Sequence, residues 1–177
     1  DAAGSTYLWT EFLSTASPEW KAGPGRGMKV KWPLGLSAKG DEGVVGLVEN
    51  TWDSIGYVEV TYALKERLPH GNVQNLAGVF AKADPKGITA AAASLHSVGA
   101  DLRLSIANAP GHDAYPISSF TWLLVPARQK DPAKQKAITA LLRWMLTEGQ
   151  NSVEDLSYAR LPAAVVKSEL ARLDKLN

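Results

Sequence analysis

The sequence predicts an α/β fold, and three observations carry the prediction. Helical and extended segments alternate as far as Pro126. Beyond it the pattern changes to nearly all helix. Hydrophobic residues make up 45% of 177 positions, enough for a substantial core in one domain or two small lobes.

Each element has a local reason. Leu8, Trp9, Phe12 and Leu13 recur at helical spacing, so a first helix is expected from about Ser5 to Leu13. Ser17-Pro18-Glu19-Trp20 reads as a short helical turn with Pro18 at its favoured first position. Ala22 to Gly27 is a glycine- and proline-rich loop, followed by the strand-like Lys29-Val30-Lys31-Trp32-Pro33. Gly35 to Gly43 is loop again, with Asp41 expected to cap a helix whose apolar face is Val44, Leu47 and Val48. Ser54 to Val60 reads as a short strand leading into a helical segment that ends near Leu68-Pro69-His70-Gly71. Val73 to Phe80 reads as another strand. Asp84-Pro85 opens a helix whose alanine-rich body is Ile88 to Leu95. Arg103 to Ala109 is mostly extended, Pro110 to Asp113 is a turn, and Tyr115 to Val125 is the longest extended candidate. Asp131-Pro132 starts a long helix with Ile138, Leu141, Leu142 and Met145 on one face, stopping near Gly149. A short helix over Val153–Tyr158 and a last one from Pro162, carrying Val166, Leu170 and Leu173, complete the chain. The composition break near Asp113 to Ile117 divides it into 1–113 and 114–177.

Composition removes several functions. A formal net charge of +1 with scattered Lys and Arg gives no basic stripe for nucleic acid. Without cysteine there are no disulfides, thiolate metal sites or cysteine nucleophile. No apolar run reaches the roughly 18 residues of a membrane span, so a soluble chain is expected. His70, His96 and His112 lie in unrelated contexts with no pair at helical spacing, so no metal site or cofactor is expected. There is no Gly-x-Ser-x-Gly elbow, and no catalytic residue is assigned. Gly23-Pro24-Gly25-Arg26-Gly27 lacks the Gly-Lys-Ser/Thr ending of a phosphate loop and reads as surface. Trp9, Trp122 and Trp144 fall on apolar faces and are expected in the core, whereas Trp20, Trp32 and Trp52 adjoin loops.

The stretch with most chemistry is Asp1-Ala2-Ala3-Gly4-Ser5-Thr6-Tyr7. It sets a carboxylate, small residues and two hydroxyls directly ahead of the first helix. The first N–H groups of a helix have no partner inside it and sit at the positive end of its dipole. A small-residue approach lets an oxyanion reach them. The same residues also suit an ordinary Ser/Thr helix cap, the commoner use of such a stretch, and the motif alone leaves both open.

Further motifs follow in a fixed order: Leu13 through Ser17-Pro18-Glu19-Trp20, Val30-Lys31-Trp32-Pro33 and Gly40-Asp41-Glu42-Gly43-Val44-Val45. Ser54-Ile55-Gly56-Tyr57-Val58-Glu59, Ala114-Tyr115-Pro116-Ile117 and Gly149 through Tyr158-Ala159-Arg160-Leu161-Pro162 complete the series. Together with the opening loop, over essentially its whole length, the chain resembles the phosphate-binding proteins of bacterial ABC transporters, in their C-terminal half or more. The resemblance implies a two-lobed, type II periplasmic-binding-protein fold closing on one phosphate. It implies a non-enzymatic receptor in the periplasm or cell envelope that hands inorganic phosphate to an inner-membrane permease. The family's loop typically reads Arg-x-Asp-Gly-Ser-Gly-Thr. On that pattern Asp1 would hold a preceding arginine, while Gly4 and Ser5 would donate to phosphate; the Thr6 hydroxyl joins them from the reading of the stretch itself. Ala3 stands where the family has a phosphate-binding serine, leaving only its backbone donor, and Ala2 replaces a glycine.

The family's remaining ligands, including the aspartate that accepts the proton of hydrogen phosphate, come from its N-terminal lobe. The resemblance therefore implies that 1–113 is part of the second lobe and that 114–177 returns to the first. A preceding polypeptide that completes the fold is expected. A phosphatase-like or phosphate-scavenging protein on the same fold, and a structural module without ligand binding, are the alternatives.

Overall fold

The structure, a computed structural model, describes residues 2–95 and 104–176. It is rich in helix. Helix α1 spans Gly4–Ala16, longer at its C-terminal end than its apolar spacing predicts. It packs against α2, Pro18–Ala22, which Ser17 caps by accepting the Trp20 N–H at 3.1 Å. Helix α3, Gly40–Glu49, packs against α4, Val60–Lys65. Between them the extended chain at Gly56 presses on α3. A Cβ built there would lie 2.8 Å from Val48 Cγ2 and 2.9 Å from Val44 Cγ1, so glycine alone allows the approach.

The single ladder among the described residues is antiparallel, β1 Val73–Gln74 against β2 Phe80–Ala81. The segment expected as one strand is thus a tight hairpin. Its turn is held by Asn75, a buried side chain with every polar atom engaged. The Asn75 amide donates to the carbonyls of His112 at 2.8 Å and Ala114 at 3.0 Å, and its oxygen accepts the N–H groups of Ala77 and Val79.

Helix α5, Pro85–Ala93, is capped by Asp84, which accepts the Gly87 N–H at 2.8 Å. Ala91 and Ala92 of α5 form the buried cluster with Ile106, Ala109 and Ala114, and Leu95 and Phe120 pack on it. Helix α6, Pro132–Leu146, capped by Asp131, packs against α7, Ala163–Leu173. The short helix expected near Val153–Tyr158 is a 3-10 turn, Glu154–Leu156.

The extended segments at 29–33, 54–59, 104–109 and 115–125 join no ladder among the described residues. A strand is made by its neighbour, because its N–H and C=O groups alternate outward and need a partner chain. The tryptophan expectation is corrected for the same kind of reason. Trp122 and Trp144 are 46% and 50% exposed instead of buried, while Trp9 is half-buried. Leu124 is 97% exposed, and Leu141 and Met145 of α6 are exposed too. An apolar face is buried only where a second element lies against it, and no described element covers these.

Candidate functional site

The site is built on the first turn of α1. Its N-cap, Ala3, is extended and carries no capping side chain. The first helical bond runs from the Tyr7 N–H to the Ala3 carbonyl at 3.1 Å. The N–H groups of Gly4, Ser5 and Thr6 have no partner among the described residues. Three donors therefore stand side by side at the positive end of a 13-residue helix. Gly4 is exposed, and a Cβ built on it would meet nothing within 4 Å, so the approach is open. Neither hydroxyl of Ser5 or Thr6 caps the first turn, which answers the cap reading.

Those hydroxyls reach sideways to other elements. Ser5 Oγ donates to Asp41 Oδ1 at 3.0 Å, and Asp41 Oδ2 accepts the Glu59 N–H at 3.1 Å. Thr6 Oγ1 and the Tyr57 hydroxyl share a hydrogen bond of 2.8 Å. Tyr57 in turn stacks on Trp9, with centroids 5.7 Å apart and planes 14° from parallel, and touches Trp32 on another side. Gly40, at φ +69°, turns the chain into α3, so that Asp41 sits in the first helical turn. The expectation that Asp41 caps α3 is thereby corrected: Lys39 is the N-cap, and the Asp41 carboxylate is spent on Ser5 and Glu59.

Ala3 is corrected as well. Its N–H donates to the Met28 carbonyl at 3.0 Å, so the one donor left to it by the loss of a hydroxyl is occupied. Asp1 lies outside the described residues, as does His96. The structure brings Gly4, Ser5 and Thr6 together and adds Asp41, Tyr57 and Met28, none of which was singled out as a site residue. Asp41 and Tyr57 do fall within motifs that carry the family resemblance, and that was the available signal.

The charged side chains beside Asp41 are carboxylates. Beside Asp41 lie Glu42, which accepts the Tyr62 hydroxyl at 3.1 Å, and Glu59, whose carboxyl is raised above its ordinary 4.5 by burial and then by the Asp41 charge. The Tyr62 hydroxyl is raised chiefly by its bond to Glu42. On another face of α1, Arg26 pairs with the buried Glu11 at 2.9 Å and lies 5.5 Å from the centre of the Tyr7 ring. A cleft of 610 Å³ opens there, between Glu11, Lys21 and Arg26 on one side and Ser105 on the other, and none of Ala3 to Thr6 lines it. The glycine loop before Arg26 wraps α1, with Gly27 N–H donating to Thr10 Oγ1 at 3.1 Å. No group of three or more His, Cys, Asp or Glu able to hold a metal occurs among the described residues. No helix among them is long and apolar enough to cross a membrane.

The described residues form a helix-rich chain whose first helix starts with three unpartnered N–H groups, a geometry that suits an anion. No family model matches the chain. Known proteins do. It is 38% identical over 168 residues to the phosphate-binding protein PstS of Xylella fastidiosa strain Temecula1, covering 94% of this chain and 46% of that one. The phosphate-binding protein PstS of Pasteurella multocida is 34% identical, with 94% and 49% covered. That of Methanocaldococcus jannaschii is 37% identical, with 94% and 47% covered. The chain is PstS-like along nearly all of its length, and it spans about half the length of the curated relatives it matches. A relationship this close carries with it the fold class of the periplasmic binding proteins.

Proposed function

We propose that the chain is the C-terminal portion of an extracytoplasmic receptor for inorganic phosphate that delivers its ligand to an inner-membrane ABC permease. The observation that carries the reading is the row of unpartnered N–H groups on Gly4, Ser5 and Thr6, in a chain whose relatives are named for binding phosphate. Oriented backbone dipoles hold an oxyanion without a metal, and their strength grows when closure removes water. Nothing in this scheme requires a nucleophile or a proton relay, so the protein acts by binding and release. Its place of work is the periplasm or cell envelope.

In this reading the fold is a type II, two-lobed one. Residues 1–113 form part of the second lobe, opening with the phosphate loop, and 114–177 return to the first. A preceding polypeptide completes the first lobe and supplies the remaining ligands. Two observations favour it: the half-length match to the relatives, and the uncovered apolar side chains of Trp122, Leu124, Leu141 and Trp144. These are the faces that a missing neighbour would bury.

Isothermal titration of the full-length protein tests the function. Phosphate should bind saturably and sulfate should give little heat. Equal affinity for the two anions, or none for either, would overturn the proposal.

A further inference from the structure

We propose that the cleft on the other face of α1 is a second binding site, suited to a small ammonium-bearing dianion rather than to inorganic phosphate. The inference goes beyond the receptor reading and stands on a different part of the molecule. The cleft measures 610 Å³, the size of a small-molecule site, and none of Ala3 to Thr6 lines it. Glu11, Ser14 and Thr15 of its lining are three and four positions apart on α1 and so share one helix face. That face offers acceptors only. A hydroxyl has one proton; Ser14 gives its own to the Thr10 carbonyl at 2.8 Å and Thr15 to the Phe12 carbonyl at 2.7 Å. Glu11 is buried, at 6% exposure, and a carboxylate removed from water needs partners. Its Oε1 accepts from Arg26 at 2.9 Å. Its Oε2 has no hydrogen-bond partner among the described residues, yet no buried side-chain oxygen is left unsatisfied, so Oε2 opens on the cleft.

Helix α2 and the glycine loop add cations. The Lys21 ammonium has no ion-pair partner among the described residues, and Arg26, half exposed, keeps the N–H groups that Glu11 does not use. Ser105, across the cleft, accepts the Ala107 N–H at 3.1 Å and has its own proton to give. Two cations against one carboxylate leave the lining with a single positive charge in excess. The matching ligand carries the reverse pattern. A dianionic head satisfies Lys21 and Arg26, while an ammonium satisfies Glu11 Oε2 and the lone pairs of Ser14 and Thr15. The one net negative charge of such a molecule balances the lining. Inorganic phosphate meets the cations but sets bare oxygens against the acceptors, and that mismatch separates the two ligands. A small aminoalkyl phosphate and an acidic amino acid share the required chemistry.

Isothermal titration of the full-length protein tests the site, with enough inorganic phosphate present to fill the α1 site. Two pairs of probes are compared: O-phosphoethanolamine with ethyl phosphate, and aspartate with succinate, the second member of each pair lacking the ammonium. In at least one pair the ammonium-bearing member should bind saturably and about tenfold tighter than its analogue, the scale of one hydrogen bond to a charged group. The pair that does so identifies the anionic head. Lys21→Ala should weaken that ligand about tenfold and leave the inorganic phosphate titration unchanged. Glu11→Gln should remove the preference for the ammonium. Because Glu11→Gln also touches the Arg26 pair, Ser14→Ala, which leaves the pair intact, should lower the same preference, with thermal unfolding monitoring both folds. No saturable binding by either ammonium-bearing probe, equal affinity within both pairs, or a Lys21→Ala variant with parent affinity would overturn the cleft site. The receptor reading fails separately, on a parent that binds no inorganic phosphate, and the cleft titrations are then run without it.

Discussion

Thr10→Val removes a single oxygen from the inside of α1. Thr10 is fully buried, at 0% exposure, and its hydroxyl is a junction. Oγ1 donates to the Thr6 carbonyl at 2.8 Å and accepts the Gly27 N–H at 3.1 Å. Valine fills the same space, so no cavity contributes, but the Gly27 N–H loses its one partner among the described residues. A buried donor left unpaired costs about 1–3 kcal/mol, and because Gly27 is half-buried the lower part of that range, about 1–2 kcal/mol, is expected. The loop matters to the site because the Met28 carbonyl next to it accepts the Ala3 N–H. Equilibrium urea unfolding gives the loss of stability, and amide hydrogen exchange at Gly27 gives the local cause. Thr10→Ser keeps the oxygen and should keep Gly27 protected, at the cost of one methyl group. A valine variant within about 0.5 kcal/mol of the parent, the scatter of inert surface changes, with Gly27 exchange unaltered, would refute the reasoning.

Three further outcomes are expected. Gly87→Ala should destabilise by about 1–3 kcal/mol in thermal unfolding, because its Cβ would sit 2.8 Å from the backbone oxygen of Lys82, which cannot swing aside. Asp84→Ala should cost about 1 kcal/mol by removing the acceptor of the Gly87 N–H at the start of α5, read from the urea midpoint. Glu59 is easier to protonate in the folded chain than in the unfolded one, since burial first and Asp41 second raise it above 4.5. The folded state then binds more protons, so stability falls as pH rises from 4.5 through the raised value. Glu59→Gln should flatten that fall in a pH series of unfolding curves.

What the sequence disclosed depends on how far apart the cooperating groups lie. Ser17-Pro18, Asp84-Pro85 and Asp131-Pro132 all begin helices where their chemistry predicts, because a cap and the amides it satisfies are within three residues of each other. Asp41 sits in a similar local setting yet bonds across 36 positions to Ser5, and no local rule contains that partner. Thr6 and Tyr57 are 51 positions apart. The donors of the α1 start were legible, since unpaired N–H groups are a property of any helix beginning. Their sideways anchors were not. Strands failed in the same way: Tyr115 to Val125 has the composition of a strand, but the ladder belongs to two chains and composition describes one. Trp122 and Trp144 were placed in a core by their apolar neighbours in sequence, whereas burial is decided by neighbours in space.

The aromatic contacts beside α1 have an optical consequence. Trp20 meets Trp32 at 5.2 Å, Trp32 meets Tyr57 at 5.7 Å, and Tyr57 meets Trp9 at 5.7 Å, so three of the six tryptophans belong to one continuous array. Its end lies on α1 itself, one turn beyond the free N–H groups, and its tyrosine is hydrogen-bonded to Thr6. Excitation of Tyr57 can pass to the indoles beside it, and three of the six indoles sit in this one region. Part of the protein's intrinsic emission therefore reports on the first turns of α1 without a label.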